Sequence, residues 1–285
     1  MYPPKFDYYR ANSVSEALSL LGQHSGAKVL AGGHSLIPAM NLRLADPGVL
    51  VDIGRIEGLK GISAGNGSVR IGALTTHAMV AASDAVPQML SEAAGWIGDP
   101  QVRNRGTVGG NIAHADPASD LPTVMVALGA TFHISGPNGD RSAAAADFFK
   151  GLFETDLAEG EIVTAVEVPK PGAGAGGAYA KLFNPASRYA MVGAAAVVTV
   201  AGGKCSAASV AIGGLTPCAR KASSVEAALV GKALDEGTIA AAAAAVQNDL
   251  GDDILGDIHA STDYRKAMAT VYVKRALTKA AERAG

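Results

Sequence analysis

Hydrophobic and polar positions change period several times along the chain, so helices and strands are interleaved rather than segregated. Ser13-Val14-Ser15-Glu16 has the form of a capping box, with the Ser13 hydroxyl placed to accept from the backbone at Glu16, and Ala17, Leu18 and Leu21 form an apolar stripe behind it. A first helix is expected to about His24. Lys28-Val29-Leu30-Ala31 is a short apolar run that breaks at Gly32-Gly33-His34-Ser35, after which Leu36-Ile37-Pro38-Ala39-Met40 returns to helical spacing. The order is strand, glycine loop, short helix. Val49 to Ile53 reads as another buried strand, closing an α+β unit over 1–55.

A second α+β unit is expected over 56–170. Ser68 to Gly72 alternates as a strand, Thr75 or Thr76 caps a helix through Met79 and Val80, and Met89 to Ala94 forms another helix. A polar, glycine-rich stretch from Asp99 to Pro122 carries a second glycine loop. Thr123 to Leu128 is apolar enough for a helix, and Ala130 to Ile134 and Glu161 to Val168 supply strands. Pro169 to Gly177 has the composition of a flexible connector, and a third unit, 178–285, follows it. That unit has strands at Ala194–Val200 and Ser206–Ile212, then helices at Val225–Leu229, Thr238–Leu250 and Thr262–Arg283. The predicted fold class is α+β throughout.

Composition narrows the chemistry. At 285 residues and 48% hydrophobic content the chain can bury a large core, and two domains or more are expected. Lys and Arg (24) nearly balance Asp and Glu (26), so there is no broad positive field for nucleic acid and no basic amphipathic run for a membrane surface. Nor is there an integral membrane segment or a signal-peptide pattern, and a cytoplasmic location is expected. The two cysteines, Cys205 and Cys218, are too few for a four-cysteine cluster, and the six histidines lack metal-site spacing. Glycine, at 35 residues, is enriched and gathers in short clusters.

Ala31-Gly32-Gly33-His34-Ser35 places two glycines and a hydroxyl at the end of a strand, where consecutive N–H groups can face an anion. Thr107-Val108-Gly109-Gly110-Asn111 repeats the pattern and adds a side-chain amide. Either turn alone is ordinary, but two can clasp a diphosphate from both sides. Neither has P-loop or G-x-G-x-x-G spacing.

These loops, with the run Arg103–Ala113 and the segment Asp116-Pro117-Ala118-Ser119-Asp120-Leu121-Pro122, resemble the flavoprotein subunit of the molybdenum hydroxylases, the xanthine dehydrogenase family. The likeness is nearest to the medium subunit of aerobic carbon monoxide dehydrogenase and its relatives, and it covers essentially the whole chain. It implies an FAD-binding fold of the para-cresol methylhydroxylase type in two α+β subdomains (1–55 and 56–170), followed by the small C-terminal α+β domain of these flavoproteins (178–285). It implies that the backbone of Ala31, Gly32, Gly33, His34, Ser35 and Leu36, and of Thr107, Gly109, Gly110 and Asn111, holds the FAD diphosphate, chiefly by N–H donation. Asp120 then accepts from ribityl hydroxyls, while Lys181, Tyr189 and Ile162 approach the isoalloxazine. The blander alternatives are tight turns, a helix cap at Asp120, and core packing at Tyr189 and Ile162.

Two features depart from a simple transfer of roles. Arg188 stands where many relatives have an acidic residue, and Arg103 and Arg105 serve equally well as counter-charges to the diphosphate or as surface ion-pair partners. The implied partners are a large molybdopterin-binding subunit and a small [2Fe–2S] iron–sulfur subunit, in a dimer of heterotrimers. The chain's role is then to carry electrons from those clusters through FAD to an external acceptor, with no catalytic side chain and no metal of its own. Competing readings are a self-contained flavin oxidase or dehydrogenase, and a flavin-free assembly scaffold. The substrate and final acceptor are not encoded here.

Overall fold

The computed structural model describes residues 2–65 and 67–285. Among the described residues three larger sheets stand in chain order, beside a small two-stranded one, Phe149–Gly151 with Glu154–Thr155. The first is parallel and three-stranded, with Val49–Asp52 between Asp7–Arg10 and Lys28–Leu30. Parallel strands need crossovers, supplied here by the helices Val14–Gln23 and Leu36–Asn41. Ser13 caps the first of these through its hydroxyl, which accepts from Glu16 N at 3.1 Å.

The second sheet has five antiparallel strands in the order Ile62–Ala64, Ser68–Gly72, Ile162–Pro169, Thr131–Gly136, Gly139–Ala144. Its helices pack on one face. The polar, glycine-rich stretch Asp99–Pro122, which carries the second glycine loop, folds largely as the helices Pro100–Arg105, Val108–His114 and the start of Asp120–Leu128. Proline in a first helical position and Asp99 accepting from Val102 N at 2.8 Å start the first of these, whereas the glycines of the second obscure its helical spacing.

The third sheet is antiparallel and orders Ala175–Phe183, Ala190–Ala201, Lys204–Gly213 and Arg220–Lys221. Strand periodicity divides its faces. Val192, Ala194, Ala196 and Val198 point into a core shared with the 23-residue helix Thr262–Ala284. Tyr179, Ala195 and Ala211 point the other way, against Gln88–Trp96 and Asp120–Leu128. The third unit is therefore bonded to the second through a continuous apolar layer, and the helix Asp120–Leu128 is buried along nearly its whole length.

The connector is shorter than its composition predicts. The strand Ala175–Phe183 takes in Gly176 and Gly177, and a Cβ on Gly176 would lie 2.1 Å from the Ala280 carbonyl oxygen. That glycine seats the long helix against the sheet. Among the described residues no helix is long and apolar enough to cross a membrane.

Candidate functional site: two loops and a buried charge cluster

The two glycine loops, more than seventy positions apart, touch. A Cβ on Gly32 would lie 2.0 Å from the Arg105 carbonyl oxygen and 3.2 Å from Gly106 Cα, so only glycine lets the second loop close over the first. Gly110 lies across from Ala31, with 3.8 Å between its would-be Cβ and the alanine methyl.

Their hydrogen bonding differs. Among the described residues, the N–H groups of Gly32, Gly33, His34, Ser35 and Leu36 donate to nothing. Gly33 has φ +73°, and the Ser35 hydroxyl makes no cap bond to the short helix that follows. Successive N–H groups left free around a left-handed residue form an anion-binding concavity. In the second loop Val108 N donates to Thr75 O (2.9 Å), Gly109 N to Ala73 O (2.8 Å), Gly110 N to Thr107 Oγ1 (3.2 Å) and Asn111 N to Thr107 O (2.9 Å). The expectation of N–H donation from both loops is therefore corrected for 108–111, whose amides are spent on the fold. What the second loop still offers is the Thr107 N–H, the Thr107 hydroxyl proton and the Asn111 side-chain amide.

His77, missed in the sequence, braces this contact. Its backbone N–H donates to Gly106 O (3.1 Å), and its ring lies where a Gly106 side chain would go. It is buried, its Nδ1 has no partner among the described residues, and burial, with a smaller push from His34, lowers its pKa to about 4. His34 itself is exposed, with Nδ1 3.4 Å from Gly32 O.

From the second loop a chain of bonds leads to Asp120. Ser119 Oγ donates to Asn111 Oδ1 at 2.8 Å, and Asp120 begins the buried helix beside it. Both Asp120 oxygens are engaged: Oδ1 accepts from the Tyr179 hydroxyl at 2.7 Å and Oδ2 from Lys181 Nζ at 2.8 Å. The Lys181 side chain is 0% exposed and that of Asp120 5%. Burial raises the Asp120 carboxyl pKa and lowers that of the Lys181 ammonium, and each opposes the other's shift. Lys181 also lies 4.8 Å from the Phe183 ring centroid, and Trp96 packs on Tyr179 and Phe183.

Tyr189 stands at the open end of this cluster. It is 44% exposed, and burial of the remainder together with the Asp116 and Asp120 carboxylates raises the pKa of its hydroxyl. A tight turn presents it: Asn184 N donates to Tyr189 O, Asn184 Oδ1 accepts from Ala186 N and Ser187 N, and Arg188 takes φ +62° with its guanidinium over Phe183. Asp116 forms a turn, accepting from Ala118 N at 2.9 Å. Arg103 donates to the carbonyls of Ile97 and Gly98, closing the end of the preceding helix. Ile162 lies in the core with Ala11, Val51 and Leu74, 4% exposed, leaving little surface for a ligand. Tyr179 was the other residue missed. Its signal was the spacing Tyr179-x-Lys181 in a strand, which puts both side chains on one face.

The fold and the paired loops define a flavoprotein of the molybdopterin dehydrogenases, and the chain belongs to that family. Residues 4–171 match the family described as FAD binding domain in molybdopterin dehydrogenase, and residues 177–280 the CO dehydrogenase flavoprotein C-terminal domain. The carbon monoxide dehydrogenase medium chain of Hydrogenophaga pseudoflava is 42% identical, with 98% of each chain covered. The 6-hydroxypseudooxynicotine dehydrogenase complex subunit alpha of Paenarthrobacter nicotinovorans is 41% identical, over 100% of this chain and 97% of that one. Among solved structures, carbon monoxide dehydrogenase from Hydrogenophaga pseudoflava superimposes with a TM-score of 0.95 at 44% identity, covering 99% of both chains. Quinoline 2-oxidoreductase from Pseudomonas putida 86 gives 0.93 at 36% identity, covering 100% of this chain and 99% of that one. The chain is an FAD-binding subunit of a molybdopterin-dependent oxidoreductase, and its cofactor is FAD. The five free amides, set against a second loop that only glycine can admit, fit the diphosphate of that cofactor.

Proposed function

We propose that this chain is the electron-transferring subunit of a molybdenum hydroxylase, taking electrons from [2Fe–2S] clusters of a small partner subunit and passing them to an external acceptor. Substrate oxidation then belongs to a molybdopterin centre on a large partner subunit, in a cytoplasmic dimer of heterotrimers. FAD supplies the exchange between paired and single electrons. The amides of 32–36 bind its diphosphate, joined by the hydroxyls of Ser35 and Thr107 and the Asn111 amide. Asp120 takes the ribityl side, and Tyr189 covers one face of the ring. Lys181, sealed behind Asp120, acts on the ring through space rather than by contact. Units 1–55 and 56–170 share the cofactor, with 178–285 closing over it.

The observation that carries this reading is the contact of Gly32 with the Arg105 carbonyl beneath five unpaired amides. Two cysteines cannot ligate a four-cysteine cluster, which supports placing the iron of this proposal on another polypeptide. The test is native isolation of the tagged chain from its host. Co-purification with a large and a small subunit, with FAD, iron and molybdenum in fixed ratio, is expected. Recovery of a yellow chain alone that is reduced by an organic substrate would replace the proposal with a self-contained flavoenzyme.

A further inference from the structure

Among the described residues the Lys181 side chain has no exposed surface, and the residues around it are arranged to keep it in place. Tyr179 and Lys181 alternate along one strand and so share a face, the one that meets the helix beginning at Asp120. A glycine seam makes that meeting close. Gly193 is registered opposite Lys181 and Gly213 opposite Gly193. A Cβ on Gly193 would lie 2.6 Å from the Tyr179 hydroxyl oxygen, and one on Gly213 would lie 2.1 Å from Thr123 Oγ1. With both positions clear, the helix lies flat on the sheet and its first residue reaches the tyrosine.

We propose that Tyr179 is a positioning residue for the flavin site: its hydroxyl, donated to Oδ1 of Asp120, keeps that carboxylate ionised and turned so that Oδ2 holds the Lys181 ammonium at a fixed point. The inference rests on the reading that Asp120 and Lys181 serve the flavin, and it adds the group that sets their state. Burial drives the pair toward neutrality, with the proton moving from nitrogen to oxygen. One hydrogen bond to the anion opposes that transfer. Tyr179 is suited to give it, because burial and the Asp120 charge raise its own pKa well above the ordinary value and it remains a donor. Also bearing on the pair are the Asp120 backbone N–H, which favours the carboxylate, the Tyr189 hydroxyl, which feels the Asp120 charge, Arg188, which lowers the lysine further, the Phe183 ring 4.8 Å from Nζ, and the Trp96 carbonyl 3.4 Å from it. A phenylalanine at 179 would fill the same space against Trp96 and leave Oδ1 without its donor.

The experiment uses the complex as isolated, comparing wild type with Tyr179→Phe and Lys181→Met. The readouts are flavin midpoint potential against pH, FAD affinity, and the infrared carboxyl band of Asp120 in isotope-labelled protein stripped of FAD. Lys181→Met is expected to lower the potential, since it deletes a positive charge. Tyr179→Phe is expected to shift the potential the same way by less, to change its pH slope, and to weaken FAD by less than about tenfold through the displaced Asp120 carboxylate, since the lost hydrogen bond lies within the protein. In the stripped protein its Asp120 band moves toward the protonated position, a readout that survives even if FAD is lost. A wild-type potential and carboxyl band in Tyr179→Phe, with Lys181→Met still shifted, would overturn the role of Tyr179 alone. No shift in Lys181→Met would overturn the underlying reading, and the inference with it.

Discussion

Residues 31–36 and 107–111 both place two glycines and a hydroxyl where the two loops meet, yet the first keeps the amides of 32–36 free and the second bonds those of 108–111 within the fold. The reason lies in what each loop must hold. Val108 and Gly109 tie their helix to Thr75 and Ala73, and a Cβ on Gly109 would sit 2.4 Å from that of Ala73. Glycine there buys closeness to the fold. In the first loop, Gly33 turns the chain through a left-handed conformation that leaves the following N–H groups pointing at nothing of the protein's own. The same pair of letters thus packs against backbone in both places, at Gly32 and at Gly109, and leaves a run of free amides only in the first.

The sharpest way to break this contrast is to add one methyl to each loop. Gly32→Ala drives a carbon into the Arg105 carbonyl and is expected to separate the loops, weakening FAD by about 100-fold and the apoprotein by about 1–3 kcal/mol. Gly109→Ala meets backbone as well and is expected to lose similar stability while the folded fraction keeps more of its FAD affinity. Titration with FAD alongside thermal unfolding separates the two quantities. Equal affinity losses at equal stability would erase the distinction between the loops.

Acid sensitivity comes next in size and belongs to the contact between them. The His77 ring is held at a pKa of about 4 against an ordinary 6.5, chiefly by burial. The unfolded chain takes up a proton below about pH 6.5 and the folded chain only near 4. Stability therefore rises with pH across that window and is lost on acidification, by up to about 3 kcal/mol. Urea unfolding between those limits should show the slope, and His77→Gln should flatten it. A slope that persists in the variant assigns the sensitivity to other groups.

How far the sequence could anticipate all this depended on whether a feature was local. Ser13 as a cap, the strand–glycine–helix order at 28–40 and the strand at 194–200 are written within a few residues, and the structure has them, the last extended to Ala190–Ala201. The fate of the amides at 108 and 109 is decided by Thr75 and Ala73, over thirty positions back, so residues 107–111 looked the equal of 31–36. Asp120 and Lys181 were each legible as candidates through the family resemblance, but their pairing and Tyr179's hold on it come from strand register across the glycine seam. Gly176 misled for the same reason: a connector and a helix seat have the same composition.

A gentler pair of substitutions asks about the hydroxyls. Thr107 Oγ1 caps a helix, so Thr107→Ala is expected to cost about 1 kcal/mol of apoprotein stability. Ser35 makes no cap bond, so Ser35→Ala should leave stability within about 0.5 kcal/mol and weaken FAD about three- to tenfold. If Ser35→Ala proves the more destabilising of the two in the absence of FAD, its hydroxyl serves the fold and the contrast is reversed.

The smallest effect is expected at the residue that looks most like chemistry. His34 sits at the centre of the first loop, but its ring is exposed and its nearest polar neighbour is the Gly32 carbonyl at 3.4 Å, long for a hydrogen bond. What this position offers a ligand on the proposed reading is its free N–H, which every residue but proline provides. His34→Ala is therefore expected to change FAD affinity by less than about twofold, whereas His34→Pro removes the amide and should weaken binding about tenfold or more. Fluorescence titration of the two variants decides it. A large loss in His34→Ala would show that the imidazole itself meets the cofactor, and the first loop would then bind by side chain, as proposed for the second.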